Sequence, residues 1–315
     1  MTQHAVAVGS SEHPTPAMLP VPASQCEPAT RANEGAATSS PLVSVCIPTY
    51  QGAPYIEAAI RSVLAQTYTN FELIVVDDAS PDDTCAVVER IQDPRLRIVR
   101  HATNAGAEGN WNRCLAEARG KYVKLFPQDD LLHPDCLTKQ VKVLEADAVN
   151  AVAFVFCARY IVASDGRVLL RRGFPSTKSR VVDRESLTRM TLRRGGNLVG
   201  EPGAVLFRLS SVAKVGVFDA SIPYVVDLDY WLRLLAEGSA YYIAEPLASF
   251  RVSNISWSVA IGKKQTEQFV QLIERISASG AVHLSCWDKF VGRTAARCNA
   301  VLRLAIYRLV IRKQK

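Results

Sequence analysis

This 315-residue chain has no Cys-x-x-Cys pair, no Gly-x-Gly-x-x-Gly, and no zinc-finger or RNA-recognition signature. It also has no uninterrupted apolar run of the ~20 residues that a bilayer span needs. Each absence removes a class of function. The eight cysteines (Cys26, Cys46, Cys85, Cys114, Cys136, Cys157, Cys286 and Cys298) are scattered, and several sit in apolar runs, as Cys46 does in "LVSVCI". They read as buried free thiols of a reducing cytosol rather than as a disulfide or zinc framework. The best apolar candidate, 148–163, is broken by Asn150 and Arg159, so a soluble or peripheral protein is expected. Neither the basic region nor the apolar core of a secretory signal is present. The segment "PTYQGAPY" has one Gly and no Lys or Arg, which argues against a dinucleotide fingerprint and against the Gly-rich basic loop of a nucleotidyltransferase.

Excess charge is confined rather than general. The net charge is +7, yet a large share follows residue 286 in Lys289, Arg293, Arg297, Arg303, Arg308, Arg312, Lys313 and Lys315, against Asp288 alone. With no nucleic-acid motif beside it, the charge is a property of the tail, and no nucleic-acid partner is expected.

What the chain does have is a core-forming composition, 48% hydrophobic, arranged after a different beginning. Residues 1–40 are rich in Pro, Ala, Ser and Thr without helical or strand period, so they read as disordered. From Leu42 to Asp130, apolar β-branched runs ("LVSVCI", "FELIVV", "RLRIVR", "KYVKLF") alternate with helical periodicity. Helices are predicted after Pro54, from about Asp82, and over 107–119, the last closed by Gly120. Such alternation predicts a mainly parallel, right-handed α/β sheet covered on both faces. The pattern then loosens. A helix over 134–146 precedes the long strand "AVAFVFCARYIV", which Asp165-Gly166 turns back as a hairpin. Helices follow near 183–193, 227–237 and 263–277, with short strands "AVLFR" and "AYYIA" between them. One continuous α/β domain with a mixed second half is expected.

In open α/β sheets, ligands bind at the carboxyl ends of strands. The first strand ends in Pro48, Thr49 and Tyr50, the second in Asp77 and Asp78, the fourth in Asp129 and Asp130. An Asp after a strand is often only turn chemistry, with Asp78 or Asp130 capping the next helix. Two pairs on one rim repel each other, however, and a divalent oxygen-seeking cation, Mg²⁺ or Mn²⁺, would offset that repulsion.

Three blocks in order, "VSVCIPTYQGAPYIEAAIRSVLAQTYTNFELIVVDDASPDDT", "NAGAEGNWNRCLAEARGKYVKLFPQDDLLHPD" and "VGVFDASIPYVVDLDYWLRL", resemble the inverting family-2 glycosyltransferases of GT-A fold. The likeness spans about 42–250. It implies a single GT-A-like domain over 41–260, with a nucleotide-sugar-binding half (41–130), an acceptor half (131–260) and a C-terminal helical basic extension (261–315). The implied partners are a nucleotide-diphosphate sugar donor and a sugar or lipid-linked acceptor. The implied activity is metal-assisted transfer with inversion, in cell-envelope or extracellular polysaccharide or glycolipid synthesis.

The resemblance also assigns residues. Tyr50 would stack on the donor base, with Pro48 and Thr49 shaping its loop, and Asp77 and Asp78 would accept hydrogen bonds from base or ribose. The family's Asp-x-Asp motif falls on Pro127-Gln128-Asp129, making Asp129 the metal ligand, while Pro127 departs from the pattern and leaves Gln128 or Asp130 to substitute. Trp111 stands where many members carry Arg, so Arg251 becomes the candidate cation for the diphosphate. The family's Glu-Asp pair falls on Val226-Asp227, which makes Asp227 the general base without its Glu, or else a helix N-cap, with Glu201 and Asp229 in reserve. Pro127 also keeps open a non-catalytic nucleotide-sugar or carbohydrate-binding protein derived from a transferase.

The tail adds a localisation. At 100° per residue Arg293, Arg297, Arg308 and Arg312 share an arc, with Leu302, Ile306, Leu309 and Val310 largely opposite. Such a helix either packs on the domain with a solvated basic face or holds a cytoplasmic enzyme on the anionic inner face of a membrane.

Overall fold

In the computed structural model, residues 42–252 and 264–312 are described, with side chains to Leu302. The expectation for 1–40 lies outside the described residues. The first strand, β1 (Val43–Thr49), is almost wholly buried and pairs in parallel with β2 (Phe71–Asp77) and β4 (Tyr122–Leu125). β3 (Leu96–Arg100) lies parallel on the far side of β2. Apolar runs without polar alternation form these strands because both faces are covered. Between them run α1 (Ile56–Leu64), α2 (Thr84–Glu89) and α3 (Gly106–Glu117). The spacing of Ile56, Ala59, Ile60 and Val63 puts one stripe of α1 into the core.

The second half is mixed, as expected. It runs β5 (Leu131–Leu132), α4 (Cys136–Ala146), β6 (Val152–Val162), β7 (Val168–Arg172), β8 (Arg180–Val182), α5 (Arg184–Arg194), β9 (Val205–Arg208), α6 (Val212–Val215), α7 (Val226–Leu234) and β10 (Ser239–Arg251). Two helices, α8 (Gln265–Ala278) and α9 (Cys286–Arg312), follow. The strands form one sheet in the order β3-β2-β1-β4-β9-β6-β10-β5, with β7 paired to β6 and β8 to β10. β9 is antiparallel to both β4 and β6, and so joins the parallel half to the mixed half.

Two local expectations are corrected. "AYYIA" is part of a 13-residue strand, β10, which the sequence hides because Pro246 sits at a break in register with β6. And α3 is closed not by Gly120 but at Ala118, which turns extended. Gly120 instead passes so close to β1 that a Cβ would lie 2.6 Å from the Ser44 nitrogen.

Apolar side chains fill both faces of the sheet. One cluster gathers Phe207, Phe218, Tyr230 and Trp231 with Phe269, Leu272 and Ile273 of α8 and Ala296 of α9. The C-terminal helices therefore share the core of the sheet. Truncating one such ring typically costs ~3–5 kcal/mol. Lys124 of β4 is fully buried, and its ammonium donates to the carbonyls of Gly203 (2.8 Å) and Val205 (3.0 Å). A buried charge needs such partners, and these tie the 202–205 segment to the strand that leads into Asp129.

Candidate active site

The parallel register places Thr49 directly beside Asp77, at the carboxyl ends of β1 and β2. Half-buried Pro48 and buried Thr49 end β1, and Tyr50 emerges from it 43% exposed, its ring accessible from the rim. Gln128 closes onto this turn. Its Oε1 accepts from the Tyr50 N–H (3.0 Å) and from the Thr49 hydroxyl, and its Nε2 donates to the Tyr50 carbonyl (3.1 Å). Gln128 thus fixes the loop that carries the ring.

Asp77 and Asp78 are both buried. Asp77 Oδ2 accepts from Ser80 N–H (3.0 Å), whereas Oδ1 is buried without a hydrogen-bond partner of normal geometry among the described residues. The Cys85 thiol beside it is pushed up by burial and by this carboxylate. Asp78 Oδ1 accepts from Ala105 N–H (2.7 Å), the residue that begins α3. Asp78 therefore does serve a helix N-terminus, but that of α3, not of the helix following it in sequence. Asp130 caps no helix; Asp135 precedes α4.

The Asp129–Asp130 pair faces β10. Asp130 is buried and accepts from the Arg251 N–H (2.9 Å). The Arg251 guanidinium donates to the carbonyls of Asp129 (2.9 Å) and Ser164 (2.8 Å) and lies 5.0 Å from the Tyr55 ring centre. Arg251 thus braces the acidic turn through its backbone. Burial raises the Asp129 carboxyl, which Arg251 partly opposes. Asp130 is pushed well above the usual carboxylate range by burial, then by Asp129, with Glu201 adding to it. Burial and repulsion hold protons there, and a cation would relieve both.

Asp227 lies in the first turn of α7. Residue 225, not Asp227, is the N-cap, so the capping alternative is corrected. Asp227 Oδ1 accepts from Leu228 N–H (2.7 Å) and Oδ2 from the Asn197 amide (3.0 Å). Burial first, and Glu201 second, push this carboxyl up to about 7. A base that takes a proton near neutral pH has this affinity. Glu201 is paired with the Arg159 guanidinium and raises both Asp130 and Asp227. Asp229 points elsewhere, bound by Arg233 (2.8 Å) and Arg275 (3.3 Å), which makes it a packing residue. Trp111 packs edge-on against Phe218, with ring centres 5.2 Å apart.

Sequence reasoning missed Asn197 and Arg159. Arg159 was visible as a charge inside the long apolar strand, where only a buried partner can explain it. Asn197 carries no signal in its neighbourhood, because its partner is 30 residues away.

Oxygen donors of this kind suit a hard cation. No group of three or more His, Cys, Asp or Glu among the described residues forms a metal cage. An ion such as Mg²⁺ usually takes only one or two protein carboxylates and completes its shell with water and phosphate. Asp129 would hold it.

α9 packs one stripe on the domain and leaves a basic face exposed. Asp288, Gly292 and Ala296 are the buried stripe, Arg293 and Arg297 are exposed away from it, and Leu302, across the helix from both arginines, is 58% exposed. Trp287 and Phe290 are also exposed, stacked with ring centres 5.6 Å apart. The side chains of Arg303, Ile306, Arg308, Leu309, Val310 and Arg312, and residues 313–315, lie outside those described. Among the described residues no helix is long and apolar enough to cross a membrane.

Comparison with known proteins identifies the family and the fold. The family described as Glycosyl transferase family 2 matches residues 44–214. A protein of Mycobacterium tuberculosis, MT1568, is 34% identical over 216 residues, covering 67% of each chain. This chain spans about two thirds of the length of that relative and of others like it. TuaG of Bacillus subtilis, named a putative teichuronic acid biosynthesis glycosyltransferase, is 32% identical over 75% of this chain and 90% of its own. Among solved structures, the mannosyltransferase PcManGT of Pyrobaculum calidifontis in complex with GDP-Man and Mn²⁺ superposes with a TM-score of 0.56 at 20% identity. That likeness, over 87% of this chain and 81% of the other, is one of fold.

Proposed function

This chain belongs to glycosyl transferase family 2 and is a glycosyltransferase with a GT-A-like fold; from that premise we propose that it moves a sugar from a nucleotide-diphosphate sugar to an acceptor hydroxyl with inversion. The observation that carries the reading is the Asp227 carboxyl, pushed up to about 7 by burial and by Glu201, which also raises Asp130. Attack on the anomeric carbon from the face opposite the diphosphate requires a base on one side and charge relief on the other. Asp227 takes the acceptor proton, and Asp129 holds the divalent ion. When bound, that ion offsets the charge developing on the leaving diphosphate. Tyr50 stacks on the donor base, Pro48, Thr49 and Gln128 fix the Tyr50 loop, and Asp77 and Asp78 receive base or ribose. Arg251 and Asp130 keep the acidic turn in place. Family membership favours this enzyme over a non-catalytic binding protein, and the name of the relative TuaG supports a role in polysaccharide synthesis, for which we propose a sugar or lipid-linked acceptor.

A thermal-shift panel of UDP-, GDP- and dTDP-sugars, with and without Mn²⁺, tests this directly. One donor class should stabilise the protein further when Mn²⁺ is present, and Asp129→Ala should lose both that increment and transfer. Metal-dependent binding that survives in Asp129→Ala would remove Asp129 from the metal site.

The outer face of α9, with stacked Trp287 and Phe290 beside Arg293 and Arg297, supports a second element of the proposal, reversible contact with an anionic membrane surface from the cytoplasmic side. Aromatic rings suit the headgroup region, and each basic residue near such a surface contributes ~1 kcal/mol. Co-sedimentation with anionic but not neutral vesicles, weakened by salt and lost in Trp287→Ser/Phe290→Ser, is expected. Equal binding to both vesicle types would return this face to ordinary solvent exposure.

A further inference from the structure

We infer that Asn197 is the positioning residue of the reaction, and that α9 takes part in catalysis by clamping the loop that carries it. The inference rests on Asp227 being the base. Residues 195–201 run from the end of α5 to Glu201, and helices grip them at both ends.

At the loop's far end the grip comes from α7. Asp227 and Trp231, one helical turn apart and so on one face, both reach it. Asp227 Oδ2 accepts from Asn197 Nδ2 (3.0 Å), and Trp231 Nε1 donates to the Gly200 carbonyl (3.1 Å). Asn197 is itself locked, since its Oδ1 accepts from Gly200 N–H (2.8 Å) and its Nδ2 also reaches the Gly200 carbonyl (3.1 Å). Gly200 adopts φ +114°, and a Cβ there would lie 2.8 Å from the Arg159 guanidinium, which in turn holds Glu201.

At the other end the grip comes from α9. Asn299 Nδ2 donates to the carbonyls of Arg194 (2.7 Å) and Gly195 (3.0 Å), filling acceptors that the end of α5 leaves open. Gly195 has φ +66° and packs so tightly that a Cβ would lie 2.3 Å from the Ala296 nitrogen. Arg193 pairs with buried Asp288 further back along the same helix. The amide that orients the base is therefore two residues from a point fixed by a helix whose sequence lies beyond the family match at 44–214.

The chemical consequence has a sign. An N–H donated to a carboxylate favours its charged form and fixes its rotamer. Without Asn197, Asp227 would ionise at higher pH and spend less time aimed at the acceptor. The test is steady-state transfer over pH 5–9 with the full chain, for Asn197→Ala, Asn299→Ala, Asp227→Asn and the double variant Asn197→Ala/Asp227→Asn. Asn197→Ala should lower kcat at pH 7 about tenfold and move the acid limb to higher pH. Donor KM should change by less than about twofold. Asn299→Ala should move both kcat and the limb in the same direction by less. In the Asp227→Asn background the Asn197 change should have no further effect on turnover, since the two act as a unit. A folded Asn197→Ala with unchanged kcat and limb overturns the inference. So does a loss that merely follows the fraction folded in a melting curve, with the limb unmoved. If Asp227→Asn itself turns over normally, it is the base assignment that fails.

Discussion

The two sides of the candidate site surround their carboxylates differently. On the β1–β2 side, Asp77 and Asp78 are buried but accept from backbone N–H groups, those of Ser80 and Ala105. On the side built from β4, β10 and α7, burial raises Asp129, Asp130 and Asp227 alike, Asp129 adds to the rise of Asp130, and Glu201 adds to that of Asp130 and Asp227. Backbone amides that accommodate a charge make a stable scaffold and a fixed acceptor for a ligand. Asp130 and Asp227 also accept from backbone N–H groups, those of Arg251 and Leu228, but Glu201 crowds both with like charge. Carboxyls so crowded are ready to take a proton or a cation. Such poised groups mark sites of chemistry more than sites of recognition.

The comparison can be broken at its most demanding point first. Asp227→Asn should keep donor affinity and lower turnover by ~10² or more. In the unaltered enzyme, activity should rise with pH through about 7 as Asp227 loses its proton. Stability should move the other way. The folded-state value lies above the ordinary 3.8, so the unfolded chain loses this proton first. The contribution is present below about 3.8 and is lost as pH rises through about 7. Asp227→Asn removes that loss, and in chemical denaturation at pH 8 it should be more stable than the parent by on the order of a few kcal/mol. Near-normal turnover, or no gain at pH 8, would place Asp227 among the scaffold carboxylates.

A smaller effect sharpens the other side. Asp78→Ala removes the acceptor for Ala105 N–H at the start of α3, and should cost ~1–2 kcal/mol in urea unfolding. It should weaken nucleotide binding while leaving turnover at saturating donor within about threefold. A fall in turnover as large as that of Asp227→Asn would erase the distinction between the two sides.

Much of the scaffold side is legible in the sequence. The runs "LVSVCI", "FELIVV" and "KYVKLF" form β1, β2 and β4, because apolar runs of that length have few alternatives once both faces are covered. Their parallel pairing brings Thr49 and Asp77 side by side at one rim. Local rules fail where distant contacts override them. Pro246 hides the continuation of β10, and Gly120 serves a close approach to β1 rather than a helix cap.

By itself the sequence determined the order of strands and helices in the first half, their parallel pairing and which residues sit at the carboxyl edge, because those follow from local periodicity and chain direction. Only the tertiary structure decided what each carboxylate does. Glu201 reaches both Asp130 and Asp227 because Lys124 ties its segment to β4 while Arg159 holds it from β6. Asn197 meets Asp227 because α7 and α9 grip the same loop from its two ends. The proton affinity of an acid depends on its desolvation and on the charges around it. Those are set by residues tens of positions away, which the spacing of a sequence does not record.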